Sequence, residues 1–347
     1  MDVKETSVIR GRPSENSWNF LREVLMKGRL DEALEVCMRV LRDNLALQKG
    51  EVFLSVSHSD HDGELAELFA ACANSFGASA STVKIVGSGH LKEPDRAVRE
   101  ALCNADAVVS IASINKTMAT RKAMDEGTRF LHAPFLERDT FIRLMKADTA
   151  LMLKKSQQFA RRLELATVFH MKSELGTDFR VSIAGKDAFV FDGTAREKGR
   201  SDVIPPGLVE MAPVSGTGEG TVVVDGCIRP GGVVSRPMSL DVRGGYITEI
   251  TGGPEARALW DYLRRFEDEE TLACPAHIGP GMNPFAVLCN NIVEAERVEG
   301  TITVGIGRNT DIEGGDINAK GHTDVTLTNA DVFLDDEQVI EKGQLCM

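Results

Sequence analysis

Glu51-Val-Phe-Leu-Ser-Val-Ser57 is a short, nearly continuous apolar run, and its surroundings decide the fold of the first half. An Ala/Leu/Phe-rich helical pattern follows over about 63–77, then a second run, Thr82-Val-Lys-Ile-Val86. Asp95 to Asn104 reads as a helix, Ala107-Val-Val-Ser-Ile111 as a third strand, 117–126 as a helix, and Arg129-Phe-Leu131 as a further strand. Before the first strand a helix spans roughly 16–48, interrupted near Lys27-Gly28-Arg29. Short apolar strands alternating with helices form parallel sheets, because each crossover lays a helix on the sheet face.

A long helix at about 138–162 ends this series. From Ala166 onward Gly and Pro punctuate alternating strands: Val168-Phe-His-Met171, Phe179-Arg-Val-Ser-Ile183, Gly220-Thr-Val-Val-Val-Asp225, Met238-Ser-Leu-Asp-Val242 and Gly245-Tyr-Ile-Thr-Glu-Ile250. Helices return at about 254–267 and 284–294. The expected architecture is an α/β N-terminal domain with a parallel sheet, residues 1–163, and an α+β, β-rich C-terminal metal-binding domain, residues 164–347.

The 347 residues suffice for two cores. A net charge of −12 argues against nucleic acid and anionic membrane surfaces as partners. No apolar run approaches the roughly 20 residues of a membrane span, and the first residues lack a signal pattern. Seven cysteines, odd in number and without a CxxC pair, read as reduced thiols in a cytoplasmic protein.

The chemistry-bearing segments are Cys274-Pro-Ala-His277-Ile-Gly-Pro-Gly-Met-Asn-Pro284 and Gly321-His322-Thr-Asp324. His277, His322 and Asp324 have the residue types of a two-histidine, one-carboxylate metal site, which leaves coordination positions open. His322 and Asp324 are two apart in a strand-like stretch, so they share a face. On spacing alone a structural role for these histidines stands beside the ligand role. His58-Ser-Asp-His61-Asp reads better as the polar turn before a helix. His90 and His132 fall in loop-like positions, and His170 lies on a strand. Gly305-Ile-Gly307 lacks the strand-turn-helix setting of a dinucleotide site, and Gly87-Ser-Gly89 lacks its third glycine.

In order along the second half stand His170-Met-Lys-Ser173 with Gly176-Thr-Asp-Phe179, Pro206-Gly207 through Ala212-Pro213, and Glu219-Gly-Thr-Val222. Gly245-Tyr-Ile-Thr248, His277 through Pro284, and His322-Thr-Asp324 leading to Asp331-Val-Phe-Leu-Asp335 complete the series. With these landmarks the chain resembles the aminopeptidase T metalloenzyme family and its 2,5-dihydroxypyridine 5,6-dioxygenase branch. The resemblance covers most of 166–341; the first half is similar only in pattern.

The two branches imply different chemistry. The peptidase branch implies two metal ions and a glutamate where this chain has Leu208, and its second glutamate position is His277. Under that reading Zn, Co or Mn would be the metal, and Glu210, Glu294, Glu296 or Glu299 would supply further carboxylates to an aminopeptidase or amidase. The dioxygenase branch implies one Fe(II) on His277, His322 and Asp324, with a small-molecule substrate and O2 as reactants. It also implies a homo-oligomer. That branch keeps further histidines where this chain has Ile114 or Asn115, and Val203. Asn115, Lys116, Arg180 and Asp192 are therefore the candidate substrate-binding residues, Arg180 because a guanidinium pairs bidentately with a carboxylate or phenolate. The expected activity is ring-cleaving dioxygenation of a hydroxylated aromatic or N-heteroaromatic compound.

Overall fold

A computed structural model describes residues 30–58, 63–86, 93–114, 117–134 and 136–346. The interruption at 27–29, His61, Gly87, Gly89, His90, Asn115 and Lys116 lie outside the described residues.

The first half holds α1 (30–39), β1 (Val52–His58), α2 (Gly63–Ser75), β2 (Ser79–Ile85), α3 (Arg96–Cys103), β3 (Ala107–Ser110), α4 (Met118–Asp125), β4 (Arg129–His132), α5 (Arg138–Leu144) and α6 (Thr149–Leu165). β1 pairs in parallel with β2 and β3, and β3 with β4, as the alternation predicts. From Phe53 onward β1 is buried at every position, which suits a strand covered on both faces. β2 is at the edge, and its more polar sequence is mostly exposed.

The single helix expected over 138–162 is two. Asp148 accepts a hydrogen bond from Leu151 N at 3.0 Å, capping a new helix four residues after α5 ends.

The second half adds β5 (Val168–Lys172), β6 (Asp178–Ser182), β7 (Ala188–Phe191), β8 (Ser201–Val203), β9 (Leu208–Met211), β10 (Glu219–Val224), β11 (Cys227–Ile228), β12 (Gly232–Val233), β13 (Met238–Arg243) and β14 (Tyr246–Thr251). After α7 (Pro254–Arg264) come β15 (Ile278–Pro280), α8 (Ile292–Ala295), β16 (Ile302–Gly307), β17 (His322–Leu327), β18 (Asp331–Leu334), β19 (Glu337–Glu341) and β20 (Gln344–Leu345). The helix expected over 284–294 is reduced to the single turn α8. Asn283 holds the preceding segment down, donating to Leu144 O and Pro206 O and accepting from Phe285 N.

Among the described residues the strands form three sheets. β8 joins the parallel sheet beside β4, giving the order β2-β1-β3-β4-β8. The other two are mainly antiparallel, with eight strands (β14-β13-β10-β6-β5-β18-β19-β20) and seven (β12-β11-β17-β16-β15-β9-β7). One apolar core lies between these two sheets and under α6, whose Met152, Phe159 and Leu163 are buried in it. A second lies under α1, α2 and α5 against the parallel sheet. We keep the division at residue 163 as a proposal, with β8 crossing it to complete the first sheet.

Candidate metal centre

β16 and β17 pair in antiparallel register, with Gly305 opposite Asp324 and Gly307 opposite His322. β17 alternates as expected, so His322 and Asp324 point the same way. His277 immediately precedes β15, a short Gly/Pro strand hydrogen-bonded between β16 and β9. Gly279 permits this, because a Cβ there would lie 1.9 Å from Val209 O. Gly305 is required for a different reason: its Cβ would lie 2.2 Å from His277 Cδ2. The missing side chain is the space that the imidazole occupies.

One donor atom from each of His277, His322 and Asp324 lies within 4.8 Å of the others. His277 Nε2 is 3.0 Å and His322 Nε2 3.2 Å from Asp324 Oδ1, and the rings stack with centroids 5.4 Å apart. Donors bound at about 2.0–2.2 Å to adjacent positions of one ion stand about 3 Å apart, so these spacings fit a shared ion. Tautomer logic agrees. His322 Nδ1 lies 2.7 Å from Arg308 O, an acceptor only, so Nδ1 carries the proton. Nε2 then turns a lone pair toward a carboxylate oxygen, and a cation, either a proton or a metal ion, has to sit between them. A backbone carbonyl accepting from the other ring nitrogen is also the usual outer support of a metal-ligating histidine.

The electrostatics are those of a cation site. Burial alone would depress His277, but Glu210, Asp324 and Glu296 raise it to about 9. Burial would raise the Asp324 carboxyl, yet the two histidines hold it well below the ordinary carboxylate range. His277 Nδ1 is buried and, among the described residues, without a hydrogen bond; Glu210 Oε1 stands 3.4 Å away. Glu296 is pushed up to about 7 by burial and by Asp324 and Glu210, against the pull of Arg297, whose Nη1 is 2.6 Å away.

The cluster opens into a cavity of about 990 Å³. Its walls carry Phe189, Phe191, Leu208, Tyr262, Phe266 and Val293, with Arg229, Arg265 and Arg308 among the charged groups. Of the carboxylates expected for a hydrolase, Glu210 and Glu296 line this space. Glu294 instead pairs with Arg143 at 2.7 Å, and Glu299 with Lys155 at 3.5 Å. Arg180 is exposed on β6 of the eight-stranded sheet and does not line the cavity. Asp192 does not line it either; its Oδ1 accepts from Thr194 N and Oγ1. It stands behind Asp202, which does line the cavity and is raised to about 8 by burial and by Asp192.

Sequence reading missed His132. It ends β4 rather than lying in a loop, is 2% exposed, stacks on Phe130 at 5.4 Å, and lines the cavity. Among the described residues neither ring nitrogen has a hydrogen-bond partner, and burial pushes the imidazole down to about 3. His58 ends β1, buried and outside the cavity wall, and His170 Nε2 bonds Asp178 Oδ1 at 2.7 Å.

Residues 32–347 match the family model for 2,5-dihydroxypyridine 5,6-dioxygenase. A protein of that name from Pseudomonas putida is 30% identical over 273 residues, covering 72% of this chain and 73% of the relative. The solved structure of a 2,5-dihydroxypyridine dioxygenase from the same species has the same fold, with TM-score 0.77 and 24% identity over 90% of this chain and 96% of that one. Wild-type AmpT from Thermus thermophilus shares the fold at TM-score 0.67 and 17% identity, covering 91% of this chain and 99% of its own. Among the described residues no helix is long and apolar enough to cross a membrane. The chain belongs to the 2,5-dihydroxypyridine 5,6-dioxygenase family.

Proposed function

We propose that this chain is a mononuclear non-haem Fe(II) dioxygenase that opens the ring of a hydroxylated aromatic or N-heteroaromatic compound. The observation that carries the reading is the cluster of buried His277 and Asp324 with half-buried His322 on the wall of a cavity with aromatic sides, in a member of this family. Iron bound there would supply open coordination positions for substrate and dioxygen. The chain's own residues do the rest. Arg308 O fixes the His322 tautomer, Gly305 makes room for His277, and Phe189, Phe191, Tyr262 and Phe266 offer apolar faces to a planar ring. Glu296, raised toward neutrality, is placed to hold or release a proton at its carboxylate. His132, neutral and without a partner among the described residues, can hydrogen-bond a substrate heteroatom.

All seven cysteines are free, which fits a reducing cytosolic compartment, and we extend the family resemblance to a homo-oligomeric assembly.

A second reading has one specific observation behind it. Glu210 and Glu296 bring two more carboxylates to the cluster, the donors a two-metal aminopeptidase or amidase using Zn, Co or Mn would need. Leu208, on the cavity wall, stands against it, because a leucine supplies no ligand.

The test is oxygen uptake by anaerobically purified, Fe(II)-loaded protein given 2,5-dihydroxypyridine and a panel of hydroxylated aromatic compounds. Uptake stoichiometric with loss of the ring absorbance is expected. Oxygen-indifferent amide hydrolysis with two metals per chain would replace this reading with the second.

A further inference from the structure

The cationic side chains around the cavity are not equivalent. The Arg297 guanidinium is buried and occupied, donating to Pro205 O, Val293 O and Glu296. Arg308 Nε stands 3.9 Å from Asp311, and Arg265 lies over the Tyr262 ring at 4.1 Å. Arg121 and Lys320 are exposed. Arg229 differs from all of these. It is half-buried, it lines the cavity, and among the described residues its side chain has no hydrogen bond or ion pair.

Its backbone is nevertheless tied closely to the metal-cluster strand. Arg229 N donates to Asp324 O at 3.2 Å, and the Thr323 hydroxyl donates to Arg229 O. β11, which ends one residue earlier, pairs with β17 through Ile228 and Val325. The arginine is therefore fixed in register with Asp324 while its guanidinium is left to the cavity. A partly desolvated guanidinium without a partner is costly to keep, and its planar fork matches a carboxylate bidentately.

We propose that the substrate carries a carboxylate on its ring and that Arg229 receives it, with the aromatic walls holding the ring between that anion and the candidate metal centre. This rests on the reading of the cavity as an aromatic-ring site and narrows its substrate class to hydroxylated aromatic or heteroaromatic acids. A carboxylate held beside β17 orients the ring hydroxyls toward His277, His322 and Asp324. It also gives a use to the guanidinium that the sequence reading sought at Arg180.

The experiment compares 3,4-dihydroxybenzoate with catechol, which differ only by the carboxylate and share the same pair of hydroxyls. Their binding to the full-length protein is measured by calorimetry, as isolated and after chelation of metal. The carboxylate is expected to improve affinity about tenfold or more in both states, the scale of a charge-assisted hydrogen bond. Arg229→Gln should bring the affinity ratio to within about twofold of one, and Arg229→Lys should keep part of it. Equal affinities in the wild type would overturn the proposal. So would failure of 3,4-dihydroxybenzoate to bind at millimolar concentration, a preference that survives Arg229→Gln, or one that disappears with the metal. Should Arg229→Gln not fold, the wild-type pair still decides. Failure of the dioxygenase reading is seen separately, as an absence of oxygen uptake by the iron-loaded protein with either compound.

Discussion

His132, which ends a strand of the parallel sheet, and His277, which precedes a strand of the seven-stranded sheet, line one cavity and are buried to nearly the same degree, 2% and 3% exposed. On the parallel-sheet side, His132 feels only burial, and its imidazole is pushed down to about 3. On the antiparallel side, burial acts the same way on His277, but three carboxylates outweigh it and raise the ring to about 9. Burial alone makes a neutral hydrogen-bonding group; burial among carboxylates makes a place that demands a cation. One wall carries the imidazole set among carboxylates and the other the neutral imidazole, an arrangement suited to binding a metal and a ring side by side.

The comparison is broken most directly at the cation-demanding wall. His322→Ala removes one of the three donors and should cost more than the roughly 10–100-fold in metal affinity that outer partners of a ligand contribute. Metal titration reads the loss, and an unchanged circular dichroism spectrum would show that the fold survives. Gly305→Ala should come next. Its methyl group falls on the His277 ring, so metal affinity should drop about 10–100-fold and overpacking should cost about 1–3 kcal/mol in denaturant unfolding.

On the neutral wall the expected effect is one of pH. The unfolded chain protonates His132 near 6.5, whereas the folded chain resists down to about 3. The unfolded state therefore takes up a proton that the folded state refuses, and stability falls as pH drops below 6.5, by up to about 1.4 kcal/mol per unit from this group. His132→Phe should remove that share, about 2 kcal/mol of the loss between pH 7.5 and 5.0. Unfolding curves at the two pH values check it; an unchanged slope would mean that His132 is hydrated and charged. The smallest effect belongs outside both walls. Arg180→Ala should alter ring-compound affinity by less than twofold and stability by less than about 0.5 kcal/mol, since its side chain is exposed and does not line the cavity.

What was legible in the sequence follows the range of the interactions. Period-two alternation is local, so β17 and the shared face of His322 and Asp324 could be read directly, as could the parallel order of β1, β3 and β4. The break between α5 and α6 was also local, carried by the Asp148 cap, and lost against a continuous apolar pattern. His132 could not be read. Its burial depends on β8 returning from residue 201 to pair with β4, with Val203 opposite His132. The exchange of Arg180 for Arg229 has the same origin: which arginine faces the cavity is set by which sheet its strand joins. Gly305 is the sharpest case, since its role exists only once His277, 28 positions earlier, lies across it.

The most direct test of the central claim is the position and number of metal ions in crystals of anaerobically iron-loaded protein, located by anomalous scattering at the iron edge. One ion per chain is expected, held by His277, His322 and Asp324, with Glu210 and Glu296 uncoordinated. Two ions bridged by those glutamates, or one ion held elsewhere, would contradict it.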